Sequence, residues 1–286
     1  MNDFSERFPD NRLTGETTLR QAQLVMLRML RIIDYICRKH RIPYWFCSGT
    51  LLGAVRNKGF IPWDDDLDIA MMRDDYERFL KVAQEELPDD LFLQTRETES
   101  TYDSLSVPCK LRDTQSLFQQ DFERNKAYHQ GIFIDIFPFD KYHKTGVKRR
   151  IERGLKKLNK FLCSCYDAEI GKHEHFYKRV LAYFRPVFYY LISGYLKLIR
   201  PIIRKNASLA DDACELGHGF DLPWLQFFPP SDIFPVREVE FEGYSFLVPH
   251  NSDHYLRTIF GDDYMTPPPV EKRYQRHSEI IKPYIK

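Results

Sequence analysis

Residues 44–79 read YWFCSGTLLGAVRNKGFIPWDDDLDIAMMRDDYERF, with a small-residue turn, Ser48-Gly49-Thr50, shortly before four carboxylates, Asp64, Asp65, Asp66 and Asp68. Asp66 and Asp68 are two apart in Asp-Leu-Asp-Ile-Ala-Met-Met, which reads as the start of a buried strand, so both side chains leave the same face of the pleat. Carboxylates placed in this way repel one another unless a cation lies between them. Oxygen ligands suit a hard divalent ion, and Mg²⁺ takes one or two carboxylates and leaves its other positions to water and substrate phosphate. Gly49 permits a tight turn, and the N–H groups at the start of a helix over Leu51–Val55 are placed to cradle a phosphate. The order points to metal-assisted chemistry on a phosphate. The structural alternative is that these acids cap a helix or cover a loop, as an isolated Asp-x-Asp commonly does.

A third carboxylate stands in His129-Gln-Gly-Ile-Phe-Ile-Asp-Ile-Phe-Pro. The run reads as a strand with Ile132, Ile134 and Ile136 on one face and Asp135 on the other, between Phe133 and Phe137. An ionised acid in an apolar strand costs several kcal/mol unless it finds a metal, a partner or a proton. A salt bridge to Lys110 or Arg112 is one solution. The Asp66/Asp68 pair favours the other, a third metal ligand. The catalytic and metal-binding candidates are therefore Asp66, Asp68 and Asp135.

A small-residue turn, a short helix, an acid-x-acid strand and a third acid on a later strand resemble the nucleotidyltransferase-like fold that DNA polymerase β also uses. More specifically, GTLLGAVRNKGFIPWDDDLDI resembles the signature of the LicD phosphotransferase family, whose distant relatives include fukutin and fukutin-related protein. LRQAQLVMLRMLRIIDYICRKHRIPYW, VPCKLRDTQSLF, GIFIDIFPFD and FPVREVEFEGYSFLVPHNSDHYLRTIFGDDYMTPPP resemble further family segments, so the likeness covers most of residues 19–142 and 226–270. Asn57 departs from it, standing where family members more often carry His. The resemblance implies an α+β fold with a mixed sheet and flanking helices. It also implies transfer of a substituted phosphate, most often phosphocholine from CDP-choline, to a sugar hydroxyl of a cell-surface glycan or its lipid-linked precursor, such as lipopolysaccharide, teichoic acid or capsule. The implied reaction releases CMP, with Mg²⁺ or Mn²⁺ as the expected cofactor. Two other classes use the same residues: a nucleotide transferase moving NMP from an NTP, and a membrane-bound scaffold without activity.

The chain of 286 residues is long enough for one large core or a core plus a subdomain. Its formal net charge of +1 indicates no acidic partner. The amino terminus, MNDFSERFPDNRL, shows no apolar signal region, and six Cys in a chain of this size do not form a disulfide framework. The expectation is a reduced, cytoplasmic protein, peripheral on the cytoplasmic membrane face if the insert described next binds lipid.

Periodicity predicts helices over 19–40, Arg73–Leu87 and His254–Phe260, a strand over Val107–Leu111 and a hairpin about Gly243. The expected organisation is a catalytic core over 1–142, a basic helical insert over 143–210 and a C-terminal part, 211–286, completing the core. From Lys144 to Lys205 the insert is dense in Lys and Arg against only Glu152, Asp167, Glu169 and Glu174. Its apolar stretch, residues 186–196, is shorter than the roughly 20 residues a membrane span needs. An interfacial helix on an anionic leaflet and a helical subdomain that buries Phe188, Leu191 and Tyr195 both fit. Nucleic acid is not expected, because no recognition motif accompanies the charge. Cys163-Ser-Cys165 with His173-Glu-His175 supplies zinc-type ligands at unusual spacing.

The remaining substrate-binding candidates are Ser48, Gly49, Thr50, Arg56, Lys58, Trp63, Lys110, Arg112 and Tyr264. The cations are expected on a donor diphosphate. Trp63 and Tyr264 are expected around a quaternary ammonium, and Trp45 in the core.

Overall fold

The computed structural model describes residues 4–120, 126–166, 183–275 and 277–285, which fall into two compact units. The first comprises Met1–Asp103, Val107–Phe137 and Ser231–Lys286.

Its first long helix is α1, Thr18–His40, where Thr17 caps the first turn by accepting the Arg20 N–H. Val25, Met26, Met29, Leu30, Ile33 and Ile36 recur at helical spacing and are buried. The helix stops where Arg41 turns left-handed, two residues before Pro43. Strand β1 (Trp45–Phe46) then leads into helix α2 (Ser48–Asn57), strand β2 (Asp68–Met72), helix α3 (Arg73–Glu86) and strands β3 (Leu91–Gln94), β4 (Cys109–Asp113) and β5 (Leu117–Gln119). Strand β6 (Phe133–His143) completes a mixed sheet ordered β1–β2–β6–β4–β3. The antiparallel register sets Lys110 opposite Asp135 and Arg112 opposite Phe133. The α+β expectation is met.

Within the second unit, Ser104–Ser106 and Pro138–Pro230, the last part of β6 pairs with β7 (Cys214–His218), which pairs with β8 (Phe227–Phe228). Its two long helices among the described residues are α4 (Gly146–Tyr166) and α5 (Arg185–Asn206). They run antiparallel: Asn206 at the end of α5 donates to Glu152 early in α4 at 2.7 Å, and Arg185 at the start of α5 lies 4.4 Å over the Tyr166 ring at the end of α4. Leu162, Cys163, Phe188, Ile192, Tyr195 and Ile199 share one core. Phe188 and Tyr195 are buried as the subdomain reading expects, whereas Leu191 is exposed.

Two cations of the basic insert are structural. Lys156 is fully buried and donates to the carbonyls of His218, Gly219 and Leu222. Arg149 pairs with Glu215 and lies 3.9 Å over the Phe227 ring. Cys163 and Cys165 pack in the core of this unit; His173 and His175, the other half of the zinc-type set, lie outside the described residues. All six Cys are buried free thiols. Among the described residues, no helix is long and apolar enough to cross a membrane.

The first unit ends in a hairpin of β9 (Arg237–Phe241) and β10 (Tyr244–Val248), helix α6 (Ser252–Phe260) and strand β11 (Ile280–Lys282), which pairs with β5. Glu242 and Gly243 take left-handed φ of 53° and 79°, as a two-residue hairpin turn requires.

Candidate active site

Strand β2 and the middle of β6 bring the acids together. The Asp135 N–H donates to the Leu67 carbonyl at 2.8 Å, which fixes Asp135 beside the Asp66–Asp68 segment. Thr50 at the start of α2 accepts the Asp68 N–H at 2.8 Å, and Cys47 donates to the Asp68 carbonyl. Because the first hydrogen bond of α2 runs from the Leu51 N–H to the Cys47 carbonyl, the amides of Ser48, Gly49 and Thr50 are the donors the helix leaves over. Ser48 holds a left-handed φ of 48°. A methyl group at Gly49 would lie 3.0 Å from Asp64 Oδ2, so glycine lets this carboxyl approach the backbone.

The electrostatics follow from burial and crowding. Burial pushes the Asp64 carboxyl up to about 8, helped by the charge of Asp66, to which it is hydrogen-bonded. Asp68 is raised well above the carboxylate range by burial and then by Asp66, Asp135 and Asp64. Asp66 and Asp135 are raised chiefly by burial. Lys110 is the nearest counter-charge, its ammonium 2.6 Å from Asp135 Oδ1 and 3.4 Å from the centre of the Phe133 ring. The salt-bridge solution for Asp135 is therefore realised, with Lys110 as the partner.

Carboxylate oxygens crowded in this way have the chemistry a hard divalent ion needs. Among the described residues no three His, Cys, Asp or Glu side chains stand as a ready coordination cage. Mg²⁺ does not ask for one, since it keeps waters and takes phosphate oxygens along with one or two carboxylates. Asp66, Asp68 and Asp135 fit it on these terms.

Other predicted residues are placed less centrally. Arg112 is fully buried and commits its guanidinium to Gln94 Oε1 at 2.7 Å and the Gly131 carbonyl at 2.9 Å. Lys58 is exposed at the left-handed end of α2, opposite the end that carries Gly49. Arg56 donates to the Tyr264 carbonyl and feels the charge of Asp64. Tyr264 is 8% exposed, its hydroxyl given to Asp253 at 2.7 Å, so it offers no open ring face. Trp63 is half-buried, with the guanidinium of Arg273 5.3 Å from the ring centre. Trp45 is buried, its ring edge-on to Phe234.

Two contributions escaped the sequence reading. Asp65 is 1% exposed and accepts from the His277 N–H and ring, the Ser278 N–H at 2.8 Å and the Ser278 hydroxyl at 2.6 Å. Burial alone would raise Asp65, but these bonds hold it below the usual carboxylate value. Burial opposes charge on His277 as well; the bond to Asp65 and the charges of Asp66, Asp65 and Asp64 nonetheless raise it to about 9. It also stands 3.4 Å from Asp66 Oδ2. The second is Glu242, which accepts the Phe60 N–H at 3.0 Å, pairs with Arg20 at 2.6 Å and donates its own N–H to the Lys58 carbonyl. It thereby anchors the loop that delivers the acids. No local pattern marks either residue, since their partners lie about two hundred positions away in the chain.

Residues 41–159, which contain Thr50, Asp66, Asp68, Lys110 and Asp135, match the family described as LicD/FKTN/FKRP, nucleotidyltransferase domain. Over that range the chain is similar to the LicD domain. It is also 28% identical over 274 residues to the lipopolysaccharide cholinephosphotransferase LicD of Haemophilus influenzae, an alignment covering 94% of this chain and 98% of that protein. An uncharacterised protein of Rickettsia prowazekii is 36% identical over 134 residues, 46% of each chain, and one of Rickettsia typhi is 35% identical over 122 residues, 43% of this chain and 36% of the other. The LicD match thus includes all three predicted acids and ends well before His277.

Proposed function

We propose that the protein is a metal-dependent phosphotransferase of nucleotidyltransferase-like, DNA polymerase β type fold. It moves phosphocholine, or a related alcohol phosphate, from a CDP-alcohol to a sugar hydroxyl of lipopolysaccharide or another cell-surface glycan and releases CMP. The observation that carries this reading is the convergence of Asp66, Asp68 and Asp135 beside the leftover amides of Ser48, Gly49 and Thr50, in a chain similar along nearly its whole length to a lipopolysaccharide cholinephosphotransferase.

Asp66, Asp68 and Asp135 would hold Mg²⁺ or Mn²⁺, which when bound supplies charge neutralisation for the donor diphosphate and its leaving oxygen. The amides at the start of α2 bind a phosphoryl oxygen, with the helix dipole favouring its negative charge. Lys110 orients Asp135 through its 2.6 Å ion pair and adds positive charge at the floor of the site. Asp135, on a strand separate from the other two acids, is placed to accept the proton of the attacking sugar hydroxyl. Arg56 is the remaining cation for the diphosphate, and Trp63 reaches the alcohol headgroup only where Arg273 yields its place. A lipid-linked acceptor would place the enzyme at the inner membrane surface.

The test is a mass-spectrometric screen of purified protein with CDP-choline, CDP-ethanolamine, CDP-glycerol and CDP-ribitol. Release of CMP from one of them supports the reading. Pyrophosphate release from an NTP would assign nucleotide transfer instead, and silence toward every donor with metal and glycan present would leave the scaffold.

A further inference from the structure

The second unit shows a surface that its own packing does not explain. Helix α5 buries Phe188, Ile192, Tyr195 and Ile199 along one face. A different face carries Val187, Tyr190, Leu191, Gly194, Leu198 and Pro201, which recur at the three- and four-residue spacing of a continuous helical stripe. Tyr190 is 74% exposed and Leu198 57%. Helix α4 repeats the pattern: Val147, Ile151, Leu158 and Phe161 are exposed at spacings of four, seven and three, on the side opposite the buried Arg149 and Lys156. A soluble protein commonly leaves single apolar side chains in water, but two ordered stripes on neighbouring helices mark an interaction site.

The charges beside the stripes identify the partner. Helix α5 contains no acid, and the only acid of α4, Glu152, is buried against His143 and Asn206. The exposed polar positions of the two helices include Lys148, Arg150, Arg153, Lys157, Lys160, Lys197, Arg200 and Arg204. A second copy of this chain would bring the same cations face to face, which opposes pairing through these stripes. An anionic lipid leaflet offers an apolar interior for the stripes and negative headgroups for the cations.

We infer that the exposed faces of α4 and α5 form a docking surface for an anionic bilayer, the stripes entering the headgroup boundary and the cations engaging the lipid phosphates. This deepens the membrane-side placement proposed above and rests on that placement, not on the identity of the donor. Lys156 takes no part, because its ammonium is spent on three carbonyls inside the unit.

The full chain should cosediment with vesicles containing phosphatidylglycerol and hardly with pure phosphatidylcholine, and high salt should weaken binding without abolishing it. Lys157→Gln and Lys160→Gln should each lower partition about fivefold, the equivalent of about 1 kcal/mol per cation at the surface. Leu158→Ser with Tyr190→Ser should remove the part that survives salt. Lysine acetylation read by mass spectrometry gives a second measurement that needs no variant: anionic vesicles should protect Lys157, Lys160 and Lys197, and pure phosphatidylcholine vesicles should not. Absence of binding, equal binding to both vesicle types, or protection elsewhere on the chain would overturn the inference. So would a dimer in sedimentation that the serine substitutions dissolve, which would give the face to a second copy. Transfer of the alcohol phosphate to a soluble acceptor, read as CMP release, is scored in parallel, so loss of docking and loss of the transferase reading are separate results.

Discussion

At the scale of single residues, Asp64, Asp66, Asp68 and Asp135 are raised by burial and by one another, with Lys110 against Asp135 and His277 against Asp65 and Asp66. Replacing Asp66, Asp68 or Asp135 by Asn removes a charge that the proposed metal would need while keeping shape, so under the proposed mechanism turnover should fall by orders of magnitude with the fold intact. Steady-state assays alongside circular dichroism decide this, and near-normal activity of all three variants would remove the mechanism. Lys110 makes a sharper case because its partner is buried with it. Lys110→Met leaves Asp135 without its ion pair and should cost about 3 kcal/mol or more in urea unfolding. The double variant with Asp135→Asn should recover most of that stability and none of the activity; failure to recover it would mean that Lys110 acts on something other than Asp135. The nearness of Asp66 and Asp68 was legible from their two-residue spacing, although the strand begins only at Asp68 and Asp66 lies just before it, and the face of Asp135 was legible from the alternation of Ile132, Ile134 and Ile136. Lys110 was legible only as one of two partners. The choice between it and Arg112 came from register, which sets Lys110 directly opposite Asp135 and turns Arg112 toward Gln94.

At the scale of elements, the helices and strands near the acids followed the periodicities read from the chain, with β4 at Cys109–Asp113 two residues later than the expected Val107–Leu111, since each carries its own apolar face and its own stop. The C-terminal segment did not, because its contribution is two side chains and two amides that clamp Asp65. His277→Ala together with Ser278→Ala should leave Asp65 buried and short of donors, costing roughly 1–3 kcal/mol in thermal or urea unfolding. Turnover should drop too, as the Asp64–Asp66 segment loses its anchor; unchanged melting and activity would make the clamp incidental. In α4, charge alone did not separate structural from solvated cations. Lys156→Ala should destabilise the protein by about 3 kcal/mol or more, since hydrogen bonds from a charged donor are about 1.5–3 kcal/mol each and three carbonyls lose theirs. Lys157→Ala should stay within about 0.5 kcal/mol. Similar losses in the two variants would contradict the assignment.

At the scale of the whole molecule, stability should depend on pH through His218. Burial, with the charge of Lys156 second, lowers this imidazole from 6.5 to about 3. The unfolded chain therefore binds a proton in the window from pH 6.5 down to about 3 that the folded protein refuses. Its contribution is complete above the upper end of that window and is lost as pH falls through it, by about 1.4 kcal/mol for each pH unit crossed. Melting temperatures compared near neutral pH and in mild acid, within that window, should differ less in His218→Asn than in the parent, and an equal difference would show that other groups set the acid limb. What the sequence by itself determined about this protein is local. Strand and helix periodicity, the stops at Pro43 and Pro88 and the spacing of Asp66, Asp68 and Asp135 are set by neighbours along the chain, where backbone sterics and side-chain alternation act. Only the tertiary structure decided that Lys110 neutralises Asp135, that His277 and Ser278 reach Asp65, that Glu242 holds the loop and that Lys156 is core while Lys157 meets solvent. Those outcomes depend on which distant segments share a register or a packing face, and a short-range pattern does not encode that.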